Sequence, residues 1–272
     1  MAAEPAPHAL IRLRTRKPTV TLQNGNQAGR EHGARRVVIT GAARDFGRTL
    51  AVFFARRGDE VLLSARDLAA AERVADEIRG LGHGRVHALR CDLADPASVR
   101  SFADEVAAVT GHVDVLVNNG ARWLPGEDLA SAADEDIAAT VASTVTGTLL
   151  VTKHLLPLLA KSGRPDVVNL ISSAGLTGNH RTQAHAAFYA AKHGQAGLAD
   201  LLSPQLRPHG VRVISLYPPD FSNPDPLGPD WDTTPRGAGD KLTAHSLVEC
   251  VMFAIDQPRD CFIKAFHFEQ TV

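Results

Sequence analysis

The segment "FYAAKHG", residues 188–194, carries two side chains that could move a proton. Tyr189 and Lys192 are three residues apart, so they can touch on one side of a helix. A free tyrosine hydroxyl has a pKa of about 10, and a nearby positive charge pulls that pKa toward neutrality. The pair could therefore act as a general acid and the ammonium that activates it. Phe188, which has no proton to give, stands four residues before Lys192, at the spacing that stacks side chains along a helix.

Hydroxyl and imidazole groups precede this segment. Ser172 ends the run "VVNLIS", where its hydroxyl could steady a carbonyl oxygen, or where Ser172 and Ser173 merely cap a strand. His180 and His185 follow in the connecting loop, and a histidine titrates near neutral pH. Either histidine could supply a proton, or both could simply be solvated.

A glycine-rich turn, "TGAARDFGR" (40–48), follows the first apolar run and opens a helix. Gly41 allows a tight turn, and Gly47 allows close packing of a helix whose free N–H groups favour an anion. The turn is therefore interpreted as a phosphate cradle. Arg66 stands at the end of the second apolar run, and Arg44 lies within the turn. Basic residues at these positions suit the 2′-phosphate of NADP, whereas an acid would suit the ribose hydroxyls of NAD.

Short β-branched runs alternate with longer alanine-rich amphipathic stretches from Arg35 onward. Continuous apolar strands separated by helices indicate a parallel sheet that is covered on both faces. We predict a single-domain α/β fold, with a doubly wound, Rossmann-like parallel sheet in three α/β/α layers. The expected strands are 36–40, 60–64, 85–91, 113–118, 166–172, 211–217 and 261–268. The expected helices are 47–57, 68–80, 96–109, 134–160, 186–206 and 243–256.

The composition favours a small ligand. The 272 residues carry 29 basic and 30 acidic side chains, a formal charge of −1, which argues against nucleic acid or a membrane surface as the partner. Three scattered cysteines indicate neither a disulfide framework nor a metal cluster, so we expect no metal and a cytoplasmic location. Residues 1–34 are basic and contain Pro, Gly and Asn, which predicts a flexible arm before a domain over 35–272. A transit peptide or a partner-binding arm is the alternative.

These motifs make the chain from about Arg35 onward resemble the short-chain dehydrogenase/reductase family. The family pattern T-G-x-x-x-G-x-G is met by Thr40, Gly41 and Gly47, with Asp45 in place of the middle glycine. The stretches "CDL" and "VDVLVNNGA" resemble two further motifs of the family. The series continues in order with Pro157, Ser172, Lys192 and Pro218.

The resemblance implies a catalytic Ser-Tyr-Lys set and a nicotinamide cofactor. In this chain the catalytic candidates are Ser172, Lys192 and Tyr189. The expected cofactor is NADP(H), and its binding candidates are Gly41, Arg44, Phe46, Gly47, Arg66, Asp92, Leu93, Asn118, Lys192 and Pro218. The resemblance also implies a homodimer or homotetramer, and a small-molecule substrate covered by segment 219–242. The apolar contacts expected in that segment are Phe221 and Trp231.

Several positions that should face a ligand depart from the family pattern. Alignment on Lys192 puts Phe188 at the tyrosine position, and Asp45 brings a carboxylate near the expected pyrophosphate. Thr144 stands where the family has a relay asparagine. Pro219 removes a backbone donor beside the expected nicotinamide.

Two functions from different classes are consistent with this pattern. The first is an NADP(H)-dependent oxidoreductase that acts on a carbonyl or alcohol group, with Tyr189 or a loop histidine as a non-standard proton donor. The second is a protein of the same fold that has lost hydride transfer. Such a protein would catalyse a non-redox step, such as cyclisation, dehydration or isomerisation, or would only bind a partner. Arg44 and Arg66 favour the first function, Phe188 and Asp45 favour the second, and we prefer the first.

Overall fold

The computed structural model describes residues 33–82, 84–126, 128–179 and 183–270. All but the last two residues of the predicted basic arm lie outside the described residues, and so does His180. The boundary between the arm and the domain therefore stays a prediction.

Within the described residues, seven strands form one sheet. They are β1 Arg36–Ile39, β2 Glu60–Ala65, β3 Arg85–Arg90, β4 Val115–Asn118, β5 Asp166–Leu170, β6 Arg212–Tyr217 and β7 Ala265–His267. Every neighbouring pair is parallel, and the strand order is β3-β2-β1-β4-β5-β6-β7. The order reverses between β1 and β4, and ligands of such sheets bind beyond the carboxyl ends of the strands at that point. The prediction of a doubly wound parallel sheet is confirmed.

The helices follow the predicted order. Asp67 and Asp95 cap the starts of the helices over Leu68–Gly80 and Pro96–Val109, because their carboxylates accept hydrogen bonds from the backbone N–H groups of Ala69 and Ala97. The predicted helix 134–160 is divided by a π-helical turn over Ala142–Thr146. The helices are α1 Asp45–Arg56, α2 Leu68–Gly80, α3 Pro96–Val109, α4 Asp134–Val141, α5 Gly147–Leu159, α6 Ala186–Leu206, α7 Asp230–Thr233 and α8 Ala244–Asp256.

The sheet lies between two hydrophobic cores. Val37 and Ile39 of β1 belong to the core shared with α1, α2 and α8. Val38, which points to the other face, belongs to the core shared with α3, α5 and α6. This alternation is the period-2 pattern of a strand that is buried on both sides, and it gives the three predicted layers. In the part of the chain that the structure describes, no helix combines the length and apolarity needed to cross a membrane.

Aromatic residues of the segment after β6 pack against α1 and α8. Trp231 of α7 lies with its ring 5.0 Å from that of Phe53 on α1 and 3.7 Å from that of His245 on α8. Only 8% of Trp231 is exposed. The expectation that Trp231 contacts a substrate is therefore wrong, because its ring is part of the core between these two helices.

A buried ion pair joins the amino ends of β5 and β6. Asp166, the first residue of β5, accepts hydrogen bonds of 2.8 and 2.8 Å from the Nε and Nη2 atoms of Arg212 on β6. Arg259 donates a third bond of 2.8 Å to the same carboxylate. This end of the sheet is opposite the carboxyl ends of the strands, so the cluster serves stability rather than ligand binding.

Candidate active site

The glycine-rich turn after β1 is closed tightly against the loop after β4. Gly41 has a φ of +64°, and a Cβ atom placed on it would lie 2.6 Å from the Cα of Gly120. A Cβ on Gly47 would lie 2.4 Å from the carbonyl oxygen of Gly41. Neither position can hold a larger residue without displacing backbone, so the two glycines of the predicted cradle are sterically required.

Asn119, which is not among the residues predicted for the site, holds this turn in place. Its Nδ2 donates hydrogen bonds to the carbonyl oxygens of Thr40 and Gly41, at 3.1 and 3.0 Å. The Thr40 hydroxyl in turn accepts from the backbone N–H groups of Asn119 and Gly120. The pairing partner of an asparagine side chain is not visible in a sequence, although the doubled asparagine at 118–119 was a signal that could have been followed.

Asp45 takes the conformation for which a glycine would be favoured. Its φ is +50°, in the left-handed region that costs most side chains about 1 kcal/mol or more, although Asp tolerates it better than most. Its carboxylate is exposed at the first turn of α1, and the Nε atom of Arg44 lies 3.4 Å away. The arginine partly neutralises the carboxylate, which is otherwise adverse for a phosphate at this helix N-terminus.

Two guanidinium groups are exposed near the ends of the neighbouring strands β1 and β2. Arg44 follows β1 and has 85% of its side chain exposed, while Arg66 directly follows β2 and is also exposed. Arg48, by contrast, lies within α1 and is paired with Glu77 and Asp225 at 2.9 and 2.7 Å. Arg44 and Arg66 are thus accessible to a bound anion, and Arg48 serves the packing of the helix.

Phe46 and Leu93 pack around the same turn. Phe46 is buried, and its ring meets that of Phe221 edge-on with centroids 5.4 Å apart. Leu93 closes the other side, because a Cβ on Gly120 would lie 2.5 Å from the Cδ1 of Leu93. Phe221 is partly exposed and packs on Phe46 of α1, and its contact with a substrate stays a prediction.

Asp92 and Asn118 differ in burial and in the hydrogen bonds that their side chains make within the protein. Asp92 is partly buried, and its Oδ1 accepts a hydrogen bond of 3.0 Å from the backbone of Ala94. Asn118 is buried, and its Nδ2 donates to Thr152 on α5 and Asn169 on β5, at 3.1 and 2.9 Å. The Nδ2 group of Asn118 therefore joins β4, β5 and α5, while its buried Oδ1 has no hydrogen-bond partner among the described residues. Contact between Asn118 and a cofactor stays a prediction.

Ser172 and Pro218 meet where the loops after β5 and β6 touch. The backbone N–H of Ser173 donates to the carbonyl oxygen of Pro218 at 2.8 Å. Ser172 has a φ of +115°, and its Oγ accepts a hydrogen bond of 3.2 Å from the backbone of Ala174. Strained backbone of this kind collects at functional sites, where the surrounding structure holds it. Pro219, the residue after Pro218, is partly exposed.

Lys192 is enclosed beside this loop. Only 4% of the residue is exposed, and its Nζ donates to the carbonyl oxygen of Leu170 at 2.8 Å and to Oε1 of Gln195 at 3.0 Å. Burial lowers the pKa of Lys192 to about 7, because the charged form loses its hydration. The lysine therefore loses its proton more readily than a solvated lysine does.

The ring over the Lys192 ammonium is that of Phe188. Nζ lies 5.6 Å from the ring centroid, within the range of a cation–π contact. Phe188 is buried with Ala174 and Ala184, and the ring of Trp123 meets it edge-on at 4.8 Å. Tyr189 packs against this cluster from the next position, about 100° around the helix. The register of α6 therefore keeps Phe188 at the position where the resemblance expects a tyrosine.

His185 is a structural residue. It is fully buried at the start of α6, where its Nδ1 accepts a hydrogen bond of 3.1 Å from the backbone of Ala187. Its Nε2 lies 3.3 Å from the carbonyl oxygen of Leu129, so the ring proton resides on Nε2. Neither alternative given for His185 holds: the residue is not solvated, because it is fully buried, and it is not placed to supply a proton, because both nitrogens are engaged within the protein.

Thr144 lies in the π-helical turn, a feature that is frequent at functional sites. Thr144 is fully buried, and among the described residues its Oγ1 has no hydrogen-bond partner. Its carbonyl oxygen accepts from the Thr148 hydroxyl at 2.7 Å. The candidate site thus combines a glycine cradle, two accessible arginines, and the buried polar residues Lys192 on α6 and Thr144 in the π-helical turn.

Comparison with known proteins places this arrangement among oxidoreductases. The family model for short chain dehydrogenase matches residues 35–225. The chain is similar to the D-threitol dehydrogenase of Mycolicibacterium smegmatis, at 32% identity over 183 residues, which are 66% of this chain and 68% of that protein. It is also similar to the 1-deoxy-11-beta-hydroxypentalenate dehydrogenase of Streptomyces exfoliatus, at 34% identity over 206 residues, which are 75% of this chain and 73% of that protein.

Solved structures give the same result for the fold. A metagenomic short-chain oxidoreductase in complex with NADP matches with a TM-score of 0.72 and 26% identity, over 88% of this chain and 97% of that chain. A 3-oxoacyl-[acyl-carrier protein] reductase of Brucella melitensis with bound NAD matches with a TM-score of 0.71, over 86% of this chain and 88% of that chain. Its identity of 24% limits the second likeness to the fold.

Proposed function

The chain belongs to the short-chain dehydrogenase family of oxidoreductases, and from this premise we propose that it is an NADP(H)-dependent enzyme. The proposed reaction interconverts a carbonyl and an alcohol group of a small molecule. The two exposed arginines at the ends of β1 and β2, Arg44 and Arg66, carry the choice of NADP(H) over NAD(H). Basic side chains at these two places suit a 2′-phosphate.

The residues present fit a dinucleotide cofactor. A Cβ would clash with neighbouring backbone at Gly41 and at Gly47, so both glycines are needed for the tight turn that leads into α1. The N–H groups at the N-terminus of such a helix suit a pyrophosphate. In the proposed complex Gly41, Phe46 and Gly47 hold the pyrophosphate side, and Arg44 and Arg66 hold the 2′-phosphate. The adenine lies against Asp92 and Leu93, and the nicotinamide side against Lys192 and Pro218. The bound cofactor supplies or takes up hydride; the remaining work falls to side chains of this protein.

Those side chains hold the carbonyl oxygen and deliver its proton. Ser172 is proposed to steady the carbonyl oxygen through its hydroxyl, beside the junction of the loops after β5 and β6. Lys192 supplies positive charge next to the site, to the extent that it is protonated. Tyr189 is the proposed proton donor, since it packs at the edge of the Phe188 cluster. Such a donor contributes about 100- to 10,000-fold to a rate.

A second candidate function is supported by Phe188. A buried phenyl ring lies over Lys192, where the resemblance expects a hydroxyl, and this favours a protein that has lost hydride transfer. Such a protein would catalyse a non-redox step or act as a binding partner. Asp45, with its exposed carboxylate at the first turn of α1, supports this reading as well.

Calorimetric titration with NADPH and NADH separates the two functions. The proposal expects NADPH to bind at least about 10-fold more tightly than NADH. It also expects Arg66→Asp to weaken the affinity for NADPH by roughly 10- to 100-fold, because a charged hydrogen bond contributes about 1.5–3 kcal/mol. Lys161→Asp, an exposed charge reversal just beyond α5, is the matched control and should leave both affinities unchanged. Failure of both nucleotides to bind would refute the proposal, and NADPH binding without turnover on a panel of ketones would favour the second function.

We also propose that the protein is a homodimer or a homotetramer that pairs through α5 and α6. Leu149 on α5 and Leu201 on α6 are exposed leucines on these helices, with 42% and 57% of their surfaces accessible. Light scattering coupled to size-exclusion chromatography tests the assembly. A Leu201→Glu variant should lower the measured mass, and a monomeric parent protein would contradict the proposal.

A further inference from the structure

Gln195 lies one turn after Lys192 on α6 and is almost completely buried, with 1% of its surface exposed. Its Oε1 accepts a hydrogen bond of 3.0 Å from the Nζ of Lys192. Its Nε2 donates a hydrogen bond of 3.1 Å to the Oγ1 of Thr148 on α5. The Thr148 hydroxyl donates to the carbonyl oxygen of Thr144, in the π-helical turn, at 2.7 Å. A continuous chain of three hydrogen bonds therefore runs from the lysine to that turn.

The donor and acceptor in each of these hydrogen bonds are determined from the Thr148 end of the series. The Thr148 hydroxyl uses its single hydrogen on Thr144, so it can only accept from Gln195. The amide of Gln195 must then present Nε2 to Thr148 and Oε1 to Lys192. The orientation follows from the hydrogen bonds and not from a choice between the two ends of the amide. Gln195 consequently offers the lysine an acceptor in both of its protonation states.

The groups that face Nζ of Lys192 are uncharged. They are the Leu170 carbonyl oxygen from β5, the Gln195 amide from α6, and the Phe188 ring from the preceding turn of α6. No carboxylate is among these contacts, so neutral acceptors take the place of a counter-ion. A buried amide that lacks partners is costly, whereas this one has both of its ends engaged.

We propose that Gln195 is a positioning residue of the site, which holds Lys192 against β5 and couples it to the π-helical turn that carries Thr144. The proposal rests on the proposed function for its meaning in catalysis, but the contact itself is a property of the protein without cofactor. Because Oε1 is one of the two hydrogen-bond acceptors of Nζ, Gln195 controls both the place and the proton affinity of the lysine. Loss of the acceptor should disfavour the ammonium, and replacement by a carboxylate should favour it.

The test is the titration of Lys192 in the cofactor-free protein. Protein labelled with ¹⁵N at the lysine Nζ atoms is followed by NMR against pH, and Lys192→Met assigns the signal. We expect Gln195→Leu to lower the pKa of Lys192 by about 1 or more, and Gln195→Glu to raise it by roughly 1 to 3. Gln205→Leu and Gln205→Glu are the matched controls, because Gln205 is exposed near the end of the same helix, and they should leave the titration unchanged.

Thr148→Val keeps the proposal testable if the Gln195 variants do not fold. It removes the acceptor that orients the amide, so the pKa of Lys192 should fall, by less than in Gln195→Leu. An unchanged Lys192 titration in every folded variant would overturn the proposal. NADPH affinity, measured on the same samples, separates the two ideas. A shifted titration in a protein that binds neither nucleotide supports the positioning role and refutes the proposed cofactor.

Discussion

Phe188→Tyr tests whether the site lacks only a proton donor. The substitution adds one hydroxyl to the edge of a ring whose centroid lies 5.6 Å from the Lys192 ammonium. A positive charge this close favours the ionised phenol and draws its pKa from about 10 toward neutrality. Because the ring is only 7% exposed, an unpaired hydroxyl there would cost roughly 1–3 kcal/mol. Trp123, which meets the ring edge-on, is half exposed and can move aside for the added atom.

The expected gain exceeds this cost. General acid catalysis contributes about 100- to 10,000-fold, which corresponds to roughly 3–5 kcal/mol of transition-state stabilisation. If the site lacks its donor, as in the second candidate function, the rate of ketone reduction by Phe188→Tyr should rise by at least about 100-fold over the parent protein. If Tyr189 already donates the proton, as in the proposed function, the rate should stay near that of the parent protein. The free energy of unfolding should fall by no more than about 3 kcal/mol, the largest cost expected of the added hydroxyl.

The assay follows the loss of NADPH absorbance with a panel of ketones at saturating cofactor. Phe253→Tyr, an exposed phenylalanine on α8, is the matched control and should change nothing. A folded Phe188→Tyr protein that binds NADPH but shows no increase would refute the idea that the site lacks only a hydroxyl at position 188. If Tyr189→Phe abolishes an activity of the parent protein, Tyr189 is the donor and Phe188 only lines the site.

Three further predictions concern charge. Asp45→Gly should raise the affinity for NADPH by roughly 5- to 10-fold at low salt, since it removes a carboxylate from the first turn of α1. An unchanged affinity in the calorimetric titration would contradict this. The stability of this variant should change by less than about 1 kcal/mol, because relief of the φ of +50° is offset by loss of a favourable helix-dipole contact. Asp166→Ala should lower the free energy of unfolding by about 3–5 kcal/mol in denaturant titrations, because it leaves Arg212 buried without its carboxylate partner. A loss below about 1 kcal/mol would contradict the inference that this buried ion pair stabilises the fold. Lys192 has a pKa of about 7 in the folded protein against 10.5 when unperturbed, so the unfolded chain binds more protons between these values and stability should rise from pH 7 to pH 10. Lys192→Met should flatten that rise, and an equal slope in both proteins would show that the lysine is not buried as described.

Local patterns were sufficient for the secondary structure. Strands that are apolar throughout and helices with a 3.6-residue period are visible in the order of residues, so the predicted strands and helices agree with the structure to within a few residues at most ends. The helix predicted over 134–160 was continuous, yet the structure has a π-helical turn at Ala142–Thr146. That difference depends on which carbonyl each N–H group selects, and side-chain periodicity carries little information about that choice.

Motif spacing also located the candidate site. Gly41 and Ser172 lie just beyond the carboxyl ends of β1 and β5, and Gly47 lies in the first turn of α1. Lys192 lies on α6, and its Nζ reaches the carbonyl oxygen of Leu170 at the end of β5. Parallel strands bring these loops to one edge of the sheet. The alignment that put Phe188 at the tyrosine position agrees with the ring found over Lys192.

The sequence by itself determined the fold class, the location of the site and the absence of a hydroxyl at position 188, since these depend on residue type and local spacing. Only the tertiary structure decided what each side chain does. Trp231 became a core residue, His185 a helix cap, and Gln195 the partner of Lys192. The physical reason is that burial and hydrogen-bond partners arise from residues far apart in the chain, and Thr148 and Gln195, 47 positions apart, meet only when α5 and α6 pack together.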